Sequence, residues 1–423
     1  MVEGVKVRVH PARTTQGTGR PAKRVAFCWL GCAILLNAFV LQVLAADQPP
    51  SSSEGLSYKN TVVESVPLSI HVVKIDRSGS RFSILSRHAG GGALGLSTLA
   101  DQIKALDTTA GKAVAGINGG FFQRDQTYAG SPRGLQIVDG ELLTGPSGSA
   151  TLWIDLLGEP HLDTVSSQFR ILWPDGSGTP FTLNGPRPED GCTLYTPAIG
   201  PKTRTKGGRE FLLEPEVANR WLPLRINRPV RARIHEIHEA GDSPVPPGSM
   251  VLSVGGGMLK KLPELKSGGL LEISTACTPA LTGARTALSG GPILVHQGRK
   301  QAITTSQDAP YEQSSMLEQH PRSAIGWNKA SYFLVEVDGR QKDLSLGMSL
   351  EELSDWLVKQ GCEEALNLDG GGSSTLWYLG EVRNNPCDGY ERTLANSLLV
   401  VRKYTPINGG KSPPPPATTP ESK

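Results

Sequence analysis

The sequence predicts an α+β fold in which strand-rich, mixed sheets carry a few packed helices within a single large domain. The 423 residues include 49 Gly and 32 Pro but are only 6% aromatic, a composition typical of many turns between short strands. Short β-branched and apolar runs recur along the chain, whereas only two segments have clear helical periodicity. Neither an internal repeat nor a break in composition divides the body into two domains.

The predicted strands include the runs Ser69–Asp76, Arg81–Arg87 and Ser331–Val337. Asp139-Gly140 stands between two apolar runs and predicts a hairpin. The first helix is expected after Ser97, with Leu96, Leu99, Ile103 and Leu106 on one face.

The second helix is expected to start at Ser349. Glu352 would complete a capping box there, and Gly361 would end the helix.

The N-terminal segment has the layout of a secretory signal peptide or a signal anchor. Basic Arg20, Lys23 and Arg24 precede an apolar stretch at 25–45. We therefore expect a leader at 1–46 that places the body outside the cytosol, secreted or in the cell envelope, with membrane contact through this segment alone. A linker at 47–57, the main domain at 58–404 and a Pro-rich disordered tail at 405–423 complete the predicted organisation.

The charge distribution argues against a nucleic-acid partner. Of 43 Lys and Arg and 40 Asp and Glu, six basic and one acidic residue lie in 1–46, which leaves 37 basic and 39 acidic residues in the body. The body is therefore slightly acidic and has no basic excess for phosphate backbones.

Four cysteines of the body, Cys192, Cys277, Cys362 and Cys387, allow two disulfides in an oxidising compartment, or remain free buried thiols. They include no C-x-x-C pair that would indicate zinc. The H-E-x-H run at 235–238 is interpreted as an ordinary surface strand. We therefore predict no metal and no cofactor, although a divalent cation is not excluded.

The most unusual segment runs from Asn367 to Ser374 and reads NLDGGGSS. Three consecutive glycines cost backbone entropy, and they let backbone N–H groups converge on an anion. A β-bulge or a tight hairpin is the plain structural alternative.

Two further glycine turns also end strand-like runs. They contain Asn118, Gly119 and Gly120 in one case, and Ser289 and Gly290 in the other. Polar residues beside Gly-Gly pairs at three strand ends suggest one pocket assembled from distant segments, whereas simple connecting turns are the alternative.

Charged residues near these turns have two interpretations each. Arg322 could hold a phosphate or a carboxylate, or be a solvated surface residue. Asp338 and Arg340 form a turn that either carries a surface ion pair or adds to the pocket. Glu391, beside Arg392, has the same ambiguity.

An ordered set of these segments resembles the phosphodiester glycosidase family. Ser323 stands where that family commonly has Thr, and Cys387 where it commonly has Ser. The resemblance spans about residues 60–403 and is carried by the runs at 117–122, 132–143, 194–203, 288–295, 320–327, 337–340, 365–377 and 388–401.

The resemblance implies hydrolysis of a sugar-1-phosphodiester at the anomeric carbon. The reaction would release a free, N-acetylglucosamine-like sugar and leave a phosphomonoester on a glycan, glycolipid or envelope polymer. On this basis we expect Asp369 to be the catalytic carboxylate, with Glu391 or Asp338 as a second one. The remaining predicted site residues bind substrate or phosphate: Asn118, Gly119, Gly120, Ser289, Gly290, Arg322, Arg340, Asn367, Gly370, Gly371, Gly372, Ser373 and Ser374.

Two other functions are considered. A non-catalytic envelope module could bind phosphorylated glycans in exopolysaccharide assembly through the same pocket. A metal-dependent phosphodiesterase that cleaves P–O bonds lacks a His/Asp ligand set at recognised spacing.

Overall fold

Short strands dominate the structure, which is a computed structural model that describes residues 55–63, 65–89, 92–217, 221–303 and 313–404. The predicted leader and tail lie outside these residues, as does most of the predicted linker. The first strand begins at Leu56, within the last two positions assigned to that linker.

The strands occur along the whole described chain. In the first half they are β1 (Leu56–Val63), β2 (Leu68–Asp76), β3 (Phe82–His88), β4 (Lys112–Asn118), β5 (Gln136–Val138), β6 (Glu141–Thr144), β7 (Ala150–Ile154), β8 (Pro160–Thr164), β9 (Ser166–Ser167), β10 (Arg170–Leu172), β11 (Gly178–Leu183), β12 (Cys192–Tyr195) and β13 (Arg209–Pro215). In the second half they are β14 (Val230–His238), β15 (Met250–Val254), β16 (Leu270–Ser274), β17 (Cys277–Thr278), β18 (Thr286–Ser289), β19 (Ile293–His296), β20 (Arg299–Lys300), β21 (Arg322–Trp327), β22 (Ser331–Val337), β23 (Glu364–Asn367), β24 (Leu376–Tyr378), β25 (Glu381–Val382) and β26 (Asn396–Arg402).

Helices are few and short: α1 (Leu99–Lys104), α2 (Gly256–Leu259), α3 (Gln313–Leu317) and α4 (Leu350–Lys359). Within the described segments, none of them has the length and apolar character needed to cross a membrane. The predicted strand-rich architecture with few helices is therefore confirmed.

Four main sheets form one compact unit. The large sheet has the order β1-β2-β22-β21-β23-β19-β20, the second sheet β25-β24-β4-β26-β3 and the third sheet β6-β5-β18-β7-β8. A closed barrel, β10-β11-β12-β15-β13-β14-β16, is built from the middle of the chain. Among these strands, β11 and β12 form a parallel pair and the other pairs are antiparallel.

The two largest hydrophobic clusters determine how the sheets pack. One fills the barrel, with Phe211, Leu252 and Ile273 fully buried. The other lies where the large, second and third sheets face one another and includes Leu334, Ile117 and other fully buried residues. Burial of this apolar surface holds the three sheets together and fixes where their strand ends meet.

The predicted hairpin and the second helix are confirmed. Asp139 and Gly140 both have positive φ, as a tight two-residue hairpin requires. The Ser349 side chain accepts from the Glu352 N–H and the Glu352 carboxylate accepts from the Ser349 N–H, so the capping box is complete.

The other predicted elements shift by about one residue. Strands β2 and β3 cover the predicted runs with altered ends, and β22 matches Ser331–Val337. Helix α1 starts later than expected because the Thr98 side chain caps it, so Leu96 precedes the helix and is exposed. The H-E-x-H run lies in β14 with both histidines at least partly exposed, as expected for a surface strand.

The expectation of disulfides is wrong for the four described cysteines, which are all free. Cys192 and Cys277 are buried in the barrel core, and Cys362 is buried under α4, so they behave as small apolar side chains. Burial raises the pKa of Cys192 and of Cys362 to about 12, which keeps both thiols protonated.

Alkylation without reductant tests the free thiols. We expect iodoacetamide, applied to the chain unfolded in guanidinium without reducing agent, to label Cys192, Cys277, Cys362 and Cys387 fully. Peptide mass mapping measures the labelling, and a parallel sample treated with a phosphine reductant is the control. Additional labelling of any of these four peptides after reduction would show a disulfide and contradict the structure.

Candidate active site

Three glycine-containing turns meet at one end of the core between the large and second sheets. The Asp369 N–H donates to the Gly119 carbonyl at 3.0 Å, and the Gly291 N–H donates to the Asn367 carbonyl at 2.7 Å. A Cβ at Gly120 would collide with the Ser289 carbonyl, so this contact requires glycine. The structure thus brings together the three distant segments that the sequence suggested would share a pocket.

Asp369 carries the carboxylate at the centre of this junction. It follows β23 and is 9% exposed, and its Oδ1 accepts from the Gly370 N–H at 3.0 Å. Burial raises the pKa of this carboxyl, while the Ser373 hydroxyl, the Gly370 N–H and the positive charges of Arg124 and Arg392 act in the opposite direction. A buried carboxylate held near cationic groups is a typical feature of a functional site.

Asn118 connects the Asp369 turn to two neighbouring segments. Its Nδ2 donates to the Asp369 carbonyl at 2.7 Å, and its Oδ1 accepts from Ser323 Oγ at 2.6 Å and from the Thr375 N–H at 3.1 Å. The side chain is fully buried and its amide is engaged within the protein, whereas the sequence predicted a contact with substrate hydroxyls or phosphate.

The three glycines do not form the open anion nest that the sequence suggested. The N–H groups of Gly371, Ser373 and Ser374 donate to the carbonyls of Pro321, Gly370 and Gly371, respectively. Gly371 instead supplies a positive φ of 61°, and a Cβ at Gly370 would lie 2.8 Å from the Pro321 carbonyl oxygen. The glycines are therefore required by close backbone packing.

Arginine side chains, rather than backbone amides, supply the positive charge around this turn. A Cβ at Gly371 would lie 3.1 Å from Arg340 Nη1, and one at Gly372 would collide with Arg392 Nη2, so both guanidinium groups lie over the glycines. Asp388 orients Arg392 through Oδ2, which accepts from Nε at 3.0 Å and from Nη2 at 2.6 Å. Arg124 is exposed and adds a third cation near Asp369.

Of these groups, Arg124, Arg392 and Asp388 were missed as site residues in the sequence. Arg124 lies four residues after Gly120. This closeness to a glycine turn is the signal in the sequence that could have identified Arg124 as a site residue. Arg392 and Asp388 lie about twenty residues after Asp369, and only folding places them over Gly372.

The Arg322 side chain, which the sequence predicted to bind phosphate, donates its hydrogen bonds to backbone carbonyls of the protein. Strand alternation places Ser323 on the Asn118 side and Arg322 on the opposite face of the large sheet. Its Nε donates to the Met348 carbonyl at 2.8 Å, and its Nη2 donates to the Ser315 and Glu318 carbonyls at 2.6 and 2.8 Å. Arg322 is 5% exposed and ties α3 and α4 to the sheet.

The predicted second carboxylates are also engaged elsewhere. Glu391 Oε1 accepts from the Ala100 N–H at 2.8 Å and caps the start of α1. Asp338 is fully buried, and its Oδ2 lies 2.9 Å from His71 Nε2. Both carboxylates are thus held by contacts within the protein.

The remaining predicted residues lie in the walls of the junction. Ser289 Oγ accepts from the Leu135 N–H at 2.9 Å, and Gly290 packs against the Asn367 carbonyl. Buried oxygens without a hydrogen-bond partner among the described residues occur in and just after the NLDGGGSS segment: Asn367 Oδ1, Ser374 Oγ and Thr375 Oγ1. Unsatisfied polar atoms are costly inside a protein, and such a group beside Asp369 is consistent with a site that takes a polar ligand or water.

Comparisons with known proteins support the resemblance seen in the motifs. Residues 234–401 match the family model described as phosphodiester glycosidase, so the resemblance is confirmed. An uncharacterised prophage-derived protein of Bacillus subtilis, YomE, is 32% identical over 121 residues, 28% of this chain and 18% of that protein. The bovine N-acetylglucosamine-1-phosphodiester alpha-N-acetylglucosaminidase is 27% identical over 120 residues, 28% of this chain and 22% of the enzyme. The matched region thus spans about a fifth of each curated relative.

Two solved structures share the fold. A hypothetical protein from Synechocystis has a TM-score of 0.66 and 22% identity, over 83% of this chain and 63% of that chain. A putative exported protein of Burkholderia pseudomallei has a TM-score of 0.60 and 22% identity, over 79% of this chain and 74% of that chain.

Substitution of Gly372 tests the packing of the arginine over the turn. We expect Gly372→Ala to displace the ends of the Arg392 and Asp388 side chains, because the added Cβ would occupy their positions, and to destabilise the protein by about 0.2–1 kcal/mol through loss of this partly exposed ion pair. Urea unfolding measures the change. Gly95→Ala is the matched control, since nothing lies within 4 Å of its Cβ position. Equal stability of the two variants would contradict the proposed packing.

The buried Asp369 carboxylate should make stability depend on pH. Its pKa is raised in the folded state, so the ionised group destabilises the fold above that pKa and not below the pKa of the unfolded chain. We therefore expect Asp369→Asn to have a higher Tm than the wild type near pH 7 and a similar Tm below about pH 4.

Calorimetry across this pH range provides the measurement. Asp175→Asn is the control, because Asp175 is exposed and hydrogen bonds from Ser177 lower the pKa of its carboxyl. That substitution should not raise Tm at neutral pH. A lower Tm of Asp369→Asn at pH 7 would contradict the interpretation.

Proposed function

We propose that this chain, whose residues 234–401 match the phosphodiester glycosidase family, hydrolyses a sugar-1-phosphodiester at the anomeric carbon. Water would provide the oxygen that ends on C1 of the free sugar. The C1–O bond would break, and its electron pair would leave with the phosphate as a phosphomonoester. The family match supports the broader statement that the protein is a glycosidase-type hydrolase.

The observation that carries this proposal is a buried carboxylate beside a cluster of guanidinium groups. Asp369 lies at the junction of the glycine turns, and Arg340 and Arg392 lie over the adjacent glycines. Guanidinium groups bind phosphate oxygens in bidentate geometry, and a carboxylate stabilises or traps the positive charge that develops at C1. The site would therefore supply a carboxylate for the positive charge that develops at C1 and guanidinium groups for the negative charge of the departing phosphate.

The chemistry of the leaving group is consistent with binding of the phosphate by arginine side chains. A phosphomonoester is a stable anion, so its departure depends on stabilised negative charge more than on a strong proton donor. We assign this stabilisation to Arg124, Arg340 and Arg392. Asp388 would hold Arg392 in the required orientation through their 2.6 Å contact.

The substrate proposed is an N-acetylglucosamine-like phosphodiester on a glycan, glycolipid or envelope polymer. The name of the bovine relative, an N-acetylglucosamine-1-phosphodiester alpha-N-acetylglucosaminidase, supports the choice of sugar, and the match spans about a fifth of that relative. We also propose that the protein works outside the cytosol, secreted or in the cell envelope. The N-terminal pattern at 1–46 and the exported neighbour from Burkholderia support this location. No cofactor is assigned to the reaction.

Turnover in ¹⁸O water tests the bond that breaks. We expect the full chain to release sugar from α-N-acetylglucosamine-1-phosphodiesters with the label in the sugar, which mass spectrometry detects. Label in the phosphate would mean P–O cleavage and would refute the mechanism. Binding without turnover across a wider panel of glycan phosphodiesters would favour the non-catalytic envelope module.

Variants test the roles of the residues in the same assay. We expect Asp369→Asn and Arg392→Gln each to lower kcat/KM by about 100-fold or more, because each removes a charge that meets the transition state. Arg170→Gln is the matched control for loss of an arginine, since Arg170 is exposed on the barrel. An unchanged rate in Asp369→Asn would remove Asp369 from the mechanism.

A further inference from the structure

A row of polar side chains crosses the buried face of the large sheet behind the candidate active site. His71 in β2, Glu336 in β22 and Ser323 in β21 are direct cross-strand neighbours and therefore point to the same face. None of the three is more than 1% exposed. Apolar residues such as Leu334 and Ile325 cover the rest of this face. The row of polar side chains therefore lies within a hydrophobic core.

Glu336 is the exceptional member of this row. Both of its carboxylate oxygens are buried and lack a hydrogen-bond partner among the described residues. A buried carboxyl group without a partner carries a large desolvation penalty, and buried charges are normally paired or bound to a metal. Within the described part of the chain, the nearby Asn384 amide offsets only part of this penalty, and no Lys or Arg forms an ion pair with Glu336.

His71 and Asp338 provide two further ligand atoms beside Glu336. His71 Nε2 lies 2.9 Å from Asp338 Oδ2. One potential ligand atom from each of His71, Glu336 and Asp338 lies within 4.8 Å of the other two. All three side chains are buried. The cluster is distinct from the reacting groups proposed above, because Asp369 is not among its members.

The outer contacts of the cluster orient its ligand atoms. His71 Nδ1 lies 2.8 Å from the Tyr58 hydroxyl, and Asp338 Oδ1 accepts from the Asn385 N–H at 2.7 Å. Metal-bound histidines and carboxylates are usually oriented by hydrogen bonds of this kind, which the second ring nitrogen of the histidine makes and the second carboxylate oxygen accepts. The arrangement therefore has both the ligands and the supports of a metal site.

We propose that His71, Glu336 and Asp338 bind one divalent first-row metal ion. One imidazole nitrogen and two carboxylate oxygens match the ligand preferences of such ions, and two negative charges would be neutralised by the cation. The 2.9 Å separation of Nε2 and Oδ2 is close to the octahedral edge of about 3.0 Å expected for metal–ligand bonds of 2.0–2.1 Å. This inference departs from the sequence-based expectation of no metal.

The ion would stabilise the loop that supports the NLDGGGSS segment and would not contact the substrate. Asn384, next to Asn385, donates from Nδ2 to the Ser374 carbonyl at 3.1 Å. Binding would thus connect β2, the end of β22 and the 384–385 loop beneath the NLDGGGSS segment. The inference does not depend on the proposed glycosidase activity, because its test measures binding alone.

Titration with Mn²⁺ tests the site. The full chain is stripped with EDTA, dialysed and titrated with Mn²⁺ alone, while electron paramagnetic resonance measures the free ion. We expect one tightly bound Mn²⁺ per chain and a higher Tm in its presence. Glu336→Gln should weaken binding by more than about tenfold, since it removes a ligand while keeping the shape of the side chain.

Asp155→Asn is the matched control. Asp155 Oδ2 lies 3.0 Å from His161 Nε2 and forms a partly exposed His–Asp pair outside the proposed cluster. This variant should bind Mn²⁺ like the wild type. Equal binding by Glu336→Gln and the wild type, or no bound Mn²⁺ in the wild type, would overturn the proposal.

A second variant keeps the test valid if Glu336→Gln fails to fold. Tyr58→Phe removes the hydroxyl that contacts His71 and leaves all three ligands in place. We expect it to weaken Mn²⁺ binding by about tenfold, with a Tm in EDTA close to that of the wild type. Unchanged Mn²⁺ affinity in this variant would contradict the role assigned to His71.

Discussion

The candidate site depends on one constraint, the burial of Asp369 at the junction of three chain segments. The Asn118 amide fixes the Asp369 carbonyl, and the Gly119 carbonyl fixes the Asp369 N–H. With its backbone held on both sides, the carboxylate has little freedom to turn towards solvent. Pre-organisation of this kind reduces the rearrangement needed when charge develops during a reaction.

Close backbone approach explains why glycine recurs at this junction. At Gly119 and Gly120 an added Cβ would collide with Asn396 and with the Ser289 carbonyl, respectively. The packing that brings the segments together also uses the N–H groups of Gly371, Ser373 and Ser374, which donate to backbone carbonyls. In the proposed mechanism, recognition of the anion is therefore assigned to guanidinium groups that lie over the turn.

Two buried acidic groups at this end of the molecule oppose folding in the same way. Burial raises the pKa of both Asp369 and Glu336, which shows that the ionised forms are disfavoured inside the protein. Asp369 has nearby arginines that offset part of this cost, whereas the Glu336 oxygens have no described partner. Functional groups commonly lower stability in this manner, and the surrounding sheets supply the apolar burial that compensates.

Local sequence determined the features that depend on near neighbours. The hairpin at Asp139-Gly140, the capping box at Ser349 and the strand-rich composition follow from backbone preferences over a few residues. The sequence also singled out the three glycine turns and Asp369, because consecutive glycines beside polar residues are unusual in any simple connection.

Tertiary structure decided which side chains face one another across those turns. Strand alternation turns Arg322 away from Asp369, and the sheet register places Glu336 beside His71. Chain folding over about twenty residues brings Arg392 above Gly372. These outcomes depend on register and on contacts between distant segments, which local preferences do not encode, so the sequence indicated the location of the site while the fold selected its charged groups.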